Sequence, residues 1–109
     1  MKLGPQNQRI EISGEDAITV LQEIELILIS LHKIGSYYAC ADSAEKANYE
    51  RETTRFVDEW RVTERLAKAR ATLSRCFDST PAEDDMDDLE RAMDALKYWS
   101  GPQSSPGNG

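Results

Sequence analysis

The chain has 109 residues, 39% of them hydrophobic and 30% charged, with a formal net charge of −7. This length accommodates one main hydrophobic core, and the composition is typical of a folded helical protein. The acidic balance disfavours direct nucleic-acid binding, which normally needs a basic excess over the domain. No apolar run is long enough to span a bilayer, and residues 1–8 lack the apolar stretch of a secretory signal. We therefore expect a cytoplasmic protein without membrane association.

The first residues form no helical pattern. Ile10 and Ile12 alternate with polar residues as in a strand, but the run is too short to form a sheet. We therefore expect an extended N-terminal arm over residues 1–13, followed by a helical domain over residues 14–100.

A first helix is predicted over about residues 14–34; Gly35 and the Ser36-Tyr37-Tyr38 step either kink or end it, or the helix continues to Ala41. Ser13 supplies an N-cap acceptor and Asp16 a carboxylate in the first turn, directly before an apolar run. Side chains three and four residues apart share a helix face, so one stripe reads as an ordinary core face. That stripe contains Ala17, Leu21, Ile24, Leu28, Leu31 and Tyr38, with Val20, Ile27 and Ile34 along its edge.

The same helix carries apolar residues on another side. Ile18, Leu26 and Ile29 stand away from the expected core face and need a second surface to cover them. Two explanations stay open. The helix is either the central helix of a small bundle, or its second side is a subunit or partner interface, as contiguous exposed apolar patches usually are.

A second helix is predicted over residues 43–76. Asp42 and Glu45 form a start signal, and no Gly or Pro interrupts the sequence as far as Cys76. Its apolar face rotates near Trp60, so either the helix bends there or its two halves pack on different neighbours. A dimer would cover the apolar faces of both halves.

A third helix is predicted to start at Thr80-Pro81-Ala82-Glu83, which combines a cap hydroxyl, a proline in the first turn and a capping-box carboxylate. Its apolar stripe reaches Trp99, and Gly101-Pro102 supplies a stop. Residues 101–109 have the composition of a flexible tail. The expected fold is all-α, a small bundle of about three helices with a long central helix, completed by dimerisation.

No chemical site emerges from the sequence. Asp84-Asp85-Met86-Asp87-Asp88 matches the DDxxD spacing of magnesium-binding prenyl-transferring enzymes, but acidic residues in the first turns of a helix are explained by the helix dipole. His32 is the only histidine and has no constellation of catalytic partners around it. We expect no catalytic residue, no cofactor and no metal ion.

Aromatic and basic residues instead suggest a contact surface. Tyr37, Tyr38, Tyr49, Phe56 and Trp60 would gather at one end of a hairpin of the first two helices, either as core or as an interaction hot spot. Basic residues would contribute at the rim. The candidate partner or dimer interface consists of Ile18, Leu26, Ile29, Lys33, Tyr37, Tyr49, Phe56, Trp60, Arg61 and Arg65.

Three segments, EIELILISLHKI, FVDEWRVTERLAKARATLSRCF and TPAEDDMDDLERAMDALKYW, together resemble the QslA-type anti-activators of bacterial quorum sensing. The resemblance covers most of the chain and includes no catalytic or ligand motif. It implies a helical homodimer that binds the ligand-binding domain of a LuxR-type transcription factor, blocks its dimerisation and so prevents DNA binding. It transfers no individual contact residue.

Taken together, these features predict a small regulatory or inhibitory protein that acts by stoichiometric binding to another protein. The alternatives are an antitoxin or immunity protein that covers a toxic enzyme, a purely structural dimer, and an acidic helical metalloenzyme.

Overall fold

A computed structural model describes residues 2–40 and 42–102. They form one turn of 3-10 helix, Pro5–Asn7, and four α-helices: α1 (Gly14–Tyr37), α2 (Ser43–Glu59), α3 (Val62–Ser74) and α4 (Asp88–Asp94). No residue in these two ranges belongs to a β-strand. The expected all-α class with one long helix is therefore confirmed. Of the tail predicted over residues 101–109, residues 103–109 lie outside the described ranges.

The contacts within the chain define two compact units. Arg9–Phe77 forms the three-helix unit, which contains α1, α2 and α3. The terminal unit combines Met1–Gln8 with Asp78–Gly109 and contains the 3-10 turn and α4. The residues expected to form an extended arm are thus shared between the units, and Pro5–Asn7 within them is helical.

Helix α1 begins at the cap that the sequence predicts. The Ser13 hydroxyl accepts a hydrogen bond from the Asp16 N–H at 3.1 Å, and the Glu15 and Asp16 carboxylates lie in the first turn, where they interact favourably with the helix dipole. The helix continues to Tyr37, within the range of ends that the sequence left open, and Gly35 lies inside its last turns.

The prediction of one uninterrupted helix over residues 43–76 is wrong. Helix α2 ends at Glu59, and a separate helix, α3, begins at Val62. Arg61 lies between the two helices in the left-handed region, with φ 51° and ψ 50°. The Trp60 N–H still donates to the Phe56 carbonyl at 3.0 Å, so the break is confined to Trp60 and Arg61. The change of face near Trp60 therefore corresponds to a bend.

Burial explains why the break is needed. Phe56 is a buried side chain of α2 and Ala69 one of α3, and both helices contact α1. In a continuous helix with 3.6 residues per turn, the directions of two side chains 13 residues apart differ by three whole turns plus about 220° around the axis. In one continuous helix, Phe56 and Ala69 would therefore point in nearly opposite directions, and only one of them would face α1.

The core of the three-helix unit is small. Val20 from α1, Phe56 from α2, and Val62 and Ala69 from α3 are its buried apolar residues, and α1 packs more extensively on α3 than on α2. A core of this size leaves much of the 24-residue α1 uncovered.

The predicted core face of α1 is wrong for the main part of its stripe. Leu21 and Leu28, which were assigned to that stripe, are 60% and 57% exposed. Val20 is buried instead, and Ile27 and Ile34, placed by the sequence pattern at the edge, are half-buried. Both sets of residues satisfy helical spacing. Which of them is buried therefore depends on the residues of α3 that pack against α1.

The salt bridge between α1 and α3 helps to explain that choice. The Arg65 Nη1 atom lies 3.0 Å from the Glu23 Oε1 atom, which neutralises a carboxylate on the covered side of α1. In the sequence, Glu23 made this side of α1 resemble a solvent-facing surface. The residue that pairs with Glu23, Arg65, lies 42 positions further along the chain.

The helix predicted to begin at Thr80 is also wrong. Helix α4 begins only at Asp88, with a complete capping box: the Asp87 carboxylate accepts from the Glu90 N–H at 2.7 Å, and the Glu90 carboxylate accepts from the Asp87 N–H at 3.1 Å. The helix ends at Asp94, so Trp99 lies beyond it.

Arg91 explains the late start of α4. Its guanidinium donates to the Asp84 carboxylate at 2.9 and 3.0 Å and to the Met86 carbonyl at 3.0 Å. These contacts hold the preceding residues in a loop, in which the Ala82 N–H donates to the Met86 carbonyl at 3.0 Å. A tertiary arrangement of charged groups thus overrides the earlier capping signal.

Candidate interaction surface

A row of exposed aliphatic residues lies on one side of α1. Its residues are spaced by alternating steps of four and three, the heptad pattern by which helices pair. All four large aliphatic residues in it are exposed. We call this set the α1 seam: Ala17, Leu21, Ile24, Leu28, Leu31 and Gly35.

Five of the six seam residues, Ala17, Leu21, Ile24, Leu28 and Leu31, were assigned by the sequence pattern to a core face, but the last four of them are exposed. A strict stripe of this kind is narrower than the apolar face of an ordinary core-facing helix and is typical of a seam between paired helices. That spacing was the signal that Leu21, Ile24, Leu28 and Leu31 need not face the core of their own chain.

The second apolar side of α1 lies next to the seam. Ile18 is 57% exposed and Ile29 is also exposed, whereas Leu26 is half-buried on the flank nearer the core. Ile18 and Ile29 are therefore uncovered, whereas Leu26, three residues before Ile29 on the same side of the helix, is partly covered.

The aromatic residues form two separate sets of contacts. The ring of Tyr38 lies 4.9 Å from that of Tyr37 and 5.8 Å from that of Tyr49, measured between centroids. Phe56 and Trp60 form another pair at 5.9 Å. Phe56 is 6% exposed and belongs to the core, whereas Tyr37, Tyr49 and Trp60 are exposed.

The predicted rim cations have different surroundings. Lys33 is exposed and lines a shallow hollow beside Trp60. Arg61 is exposed and pairs with the Glu64 carboxylate at 3.0 Å. Arg65 is half-buried and bound within the chain, because its Nε–H donates to the Trp60 carbonyl at 2.7 Å in addition to the pairing with Glu23. Arg61 and Arg65 are thus each paired with a carboxylate of their own chain.

The acidic run at residues 84–88 is largely occupied by contacts within the terminal unit. Asp84 binds Arg91, Asp87 caps α4, and the Asp88 carboxylate accepts from the Asn7 side-chain amide at 2.8 Å and from the Gly4 N–H at 2.9 Å. Within residues 2–40 and 42–102, no group of three or more His, Cys, Asp or Glu side chains is arranged to hold a metal ion.

These contacts change the acidity of the carboxyl groups. Hydrogen bonds from Arg91, and then from the Met86 N–H, lower the pKa of Asp84 from 3.8 to about 2. The Asn7 amide and the Gly4 N–H lower the pKa of Asp88. Both groups therefore stay ionised at neutral pH, as required for the network around Arg91.

Two features of the terminal unit had no signal in the sequence. Asn7 is 3% exposed. Its side-chain oxygen accepts a hydrogen bond from the Asp78 N–H at 2.7 Å, and its side-chain N–H donates to the Asp78 carbonyl at 3.1 Å. After α4, Tyr98 and Trp99 are strongly exposed although the sequence placed Trp99 on a helix. Periodicity could not identify either feature, because both lie outside regular helices.

No protein-family model, curated protein or solved structure matches the chain. Among the described residues, no helix combines the length and the apolar character that crossing a membrane requires.

Proposed function

We propose that this chain is a small cytoplasmic regulatory protein that acts by binding another protein, and that the α1 seam is its principal contact surface. The observation that supports the proposal is the exposure of Leu21, Ile24, Leu28 and Leu31 in heptad spacing on one side of a well-capped helix. A soluble protein rarely leaves such a contiguous apolar surface open unless another molecule covers it.

The mode of binding follows from the geometry of the seam. An amphipathic helix that presents side chains at steps of three and four fits into the apolar groove of a partner or against another helix. Apolar burial would supply most of the affinity. Exposed polar residues that flank it on α1, among them Glu25 and His32, would contribute to orientation.

A second copy of the chain and a target protein are both proposed partners. The resemblance to QslA-type anti-activators favours a homodimer and, as the target, the ligand-binding domain of a LuxR-type transcription factor. In that case the bound protein would prevent the factor from dimerising and from binding DNA. The exposed seam is compatible with this role, because helical surfaces of this kind also join transcription-factor subunits.

Replacing Leu21 with Glu tests the seam. A symmetric dimer contains the substitution twice, and each buried leucine contributes roughly 1.5 kcal/mol or more. We therefore expect Leu21→Glu to weaken self-association by at least about 100-fold in sedimentation experiments. Ala71→Glu is the matched control, because it places the same charge on an exposed position of α3, outside the seam and away from Ile18 and Ile29. Equal effects of both substitutions would contradict the role of the seam.

The target is tested by a separate measurement. Titration with the ligand-binding domain of a LuxR-type factor from the same genome should give a saturable complex, and the full-length factor should lose DNA binding in a gel-shift assay. Leu21→Glu should abolish both effects, with helicity preserved by circular dichroism. If the factor keeps its DNA binding at saturating concentrations of the wild-type chain, the anti-activator assignment is wrong.

A further inference from the structure

The junction between α2 and α3 combines helix-forming sequence with a backbone that is not helical. Between Ser43 and Ser74 there is no Gly or Pro, yet Arg61 adopts the left-handed conformation. For residues other than Gly, this conformation brings Cβ close to the following carbonyl and is disfavoured relative to the helical one. The local sequence and the local backbone are therefore in conflict at Arg61.

Few contacts hold α2 against the rest of the unit. Phe56 is its one buried residue, and Tyr49 touches Tyr38 through their rings at 5.8 Å. By contrast, α3 buries Val62, Ala69 and Thr72. Helix α3 is thus the more firmly attached of the two, and α2 is the element that can move.

Arg65 stabilises the bent arrangement. Its Nε–H donates to the Trp60 carbonyl at 2.7 Å, and its Nη1–H donates to the Glu23 carboxylate at 3.0 Å. One side chain therefore connects the junction with α1. The bend depends on this contact and on the burial of Phe56.

A straight α2–α3 helix would present its two buried faces in nearly opposite directions, since Phe56 and Ala69 would differ by about 220° around the axis. Such a helix cannot cover one α1 with both halves. It can, however, cover the α1 helices of two different chains, with α3 on its own α1 and α2 on that of a second copy.

We propose that Trp60–Arg61 is a hinge, and that two copies of this chain exchange α2 when residues 43–74 straighten into one helix. Exchange recreates the packing of Phe56 against an α1 helix, now that of the partner, and it relieves the left-handed conformation of Arg61. Strained short connections are known to favour exchange of this kind. This inference does not depend on the α1 seam or on the proposed target.

The intrachain distance between α2 and α3 tests the hinge. Nitroxide labels at Lys46→Cys and Arg70→Cys, both exposed positions, are introduced with Cys40→Ser and Cys76→Ser and diluted into unlabelled chain. In a straight helix, 24 residues span about 36 Å between Cα atoms, whereas the bent chain is shorter. The long distance should appear in pulsed dipolar spectra and increase with total protein concentration.

Substitutions at Arg61 should shift the populations in opposite directions. Arg61→Gly tolerates the left-handed backbone and should reduce the long-distance fraction at least about threefold, whereas Arg61→Ala should increase it. Glu64→Gln is the control, because it removes the Arg61–Glu64 ion pair without changing the backbone preference of residue 61.

The outcomes separate the hinge from other forms of association. A dimer formed through the α1 seam leaves the intrachain distance short, so Leu21→Glu should not remove the long distance. A single short distance at every concentration, in all the Arg61 variants, would overturn the proposal. A long distance that does not depend on concentration would overturn the exchange of α2.

Discussion

Asn7 joins residues from both ends of the chain in the terminal unit. Its side chain binds the backbone of Asp78 in both directions and also donates to the Asp88 carboxylate at 2.8 Å. An asparagine can do this because its side chain carries both a donor and an acceptor. The unit has little apolar core, so these polar contacts largely determine how its two segments meet.

Asn7→Ala should destabilise the terminal unit. The substitution removes three hydrogen bonds, including one to the ionised Asp88 carboxylate, and leaves Asp78 backbone groups without their partner. We expect the free energy of unfolding in urea to fall by about 2 kcal/mol. Gln8→Ala, an exposed neighbour, should change it little. Equal stability of the two variants would show that the network is not important for folding.

The Asp84 carboxyl should make stability depend on pH in the acid range. Its pKa is about 2 in the folded chain against an ordinary 3.8, so the folded state binds this proton less readily. The stabilisation is complete above pH 3.8 and is lost as the pH falls towards 2. In melting curves followed by circular dichroism between pH 5 and 2, Asp84→Asn should reduce the decrease in Tm. Superimposable profiles of variant and wild type would contradict this assignment.

At the scale of the helices, local signals were reliable where tertiary contacts did not compete with them. The Ser13 cap of α1 and the Asp42 cap of α2 lie where the sequence predicts them, and their side chains accept from Asp16 and Glu45. The helix start predicted at Thr80 is absent because Arg91 binds the Asp84 carboxylate, seven positions before it, and the Met86 carbonyl, five positions before it. A capping pattern does not include such contacts.

Helix α1 contains a glycine that is not needed for its backbone. A Cβ placed at Gly35 would meet no heavy atom within 4 Å. Because glycine in a helix interior is disfavoured, Gly35→Ala should raise the free energy of unfolding by about 0.5–1 kcal/mol. Gly14→Ala, at the first position of the helix, should have a smaller effect in the same urea titration. A loss of stability in Gly35→Ala would indicate that the glycine serves a close contact.

For the whole molecule, the central feature is a small core beside a large open surface. The side of α1 on which Val20 lies is covered by its own chain, while Leu21 and Leu28 on the outer side are exposed. In the three-helix unit, α2 and α3 therefore pack against one side of α1 and leave apolar residues on another side exposed. This arrangement is consistent with the proposed role of a binding protein.

Association through the α1 seam should depend little on salt. The seam is apolar, whereas ionic strength mainly screens exposed charges. Raising sodium chloride from about 0.1 to 0.5 M should change the Kd of self-association by less than about threefold in sedimentation experiments. A much larger weakening would assign the contact to charged residues such as Lys33 rather than to Leu21 and its neighbours.

The sequence by itself determined the all-α class, the start of α1 and the change of face near Trp60, because caps and periodicity are properties of a short segment. Only the tertiary structure decided which stripe of α1 is covered. The Val20 and Leu21 stripes both satisfy helical spacing, and the choice depends on residues of α3, including the pairing of Glu23 with Arg65. Burial is a relation between distant segments, and the pattern within one helix does not contain it.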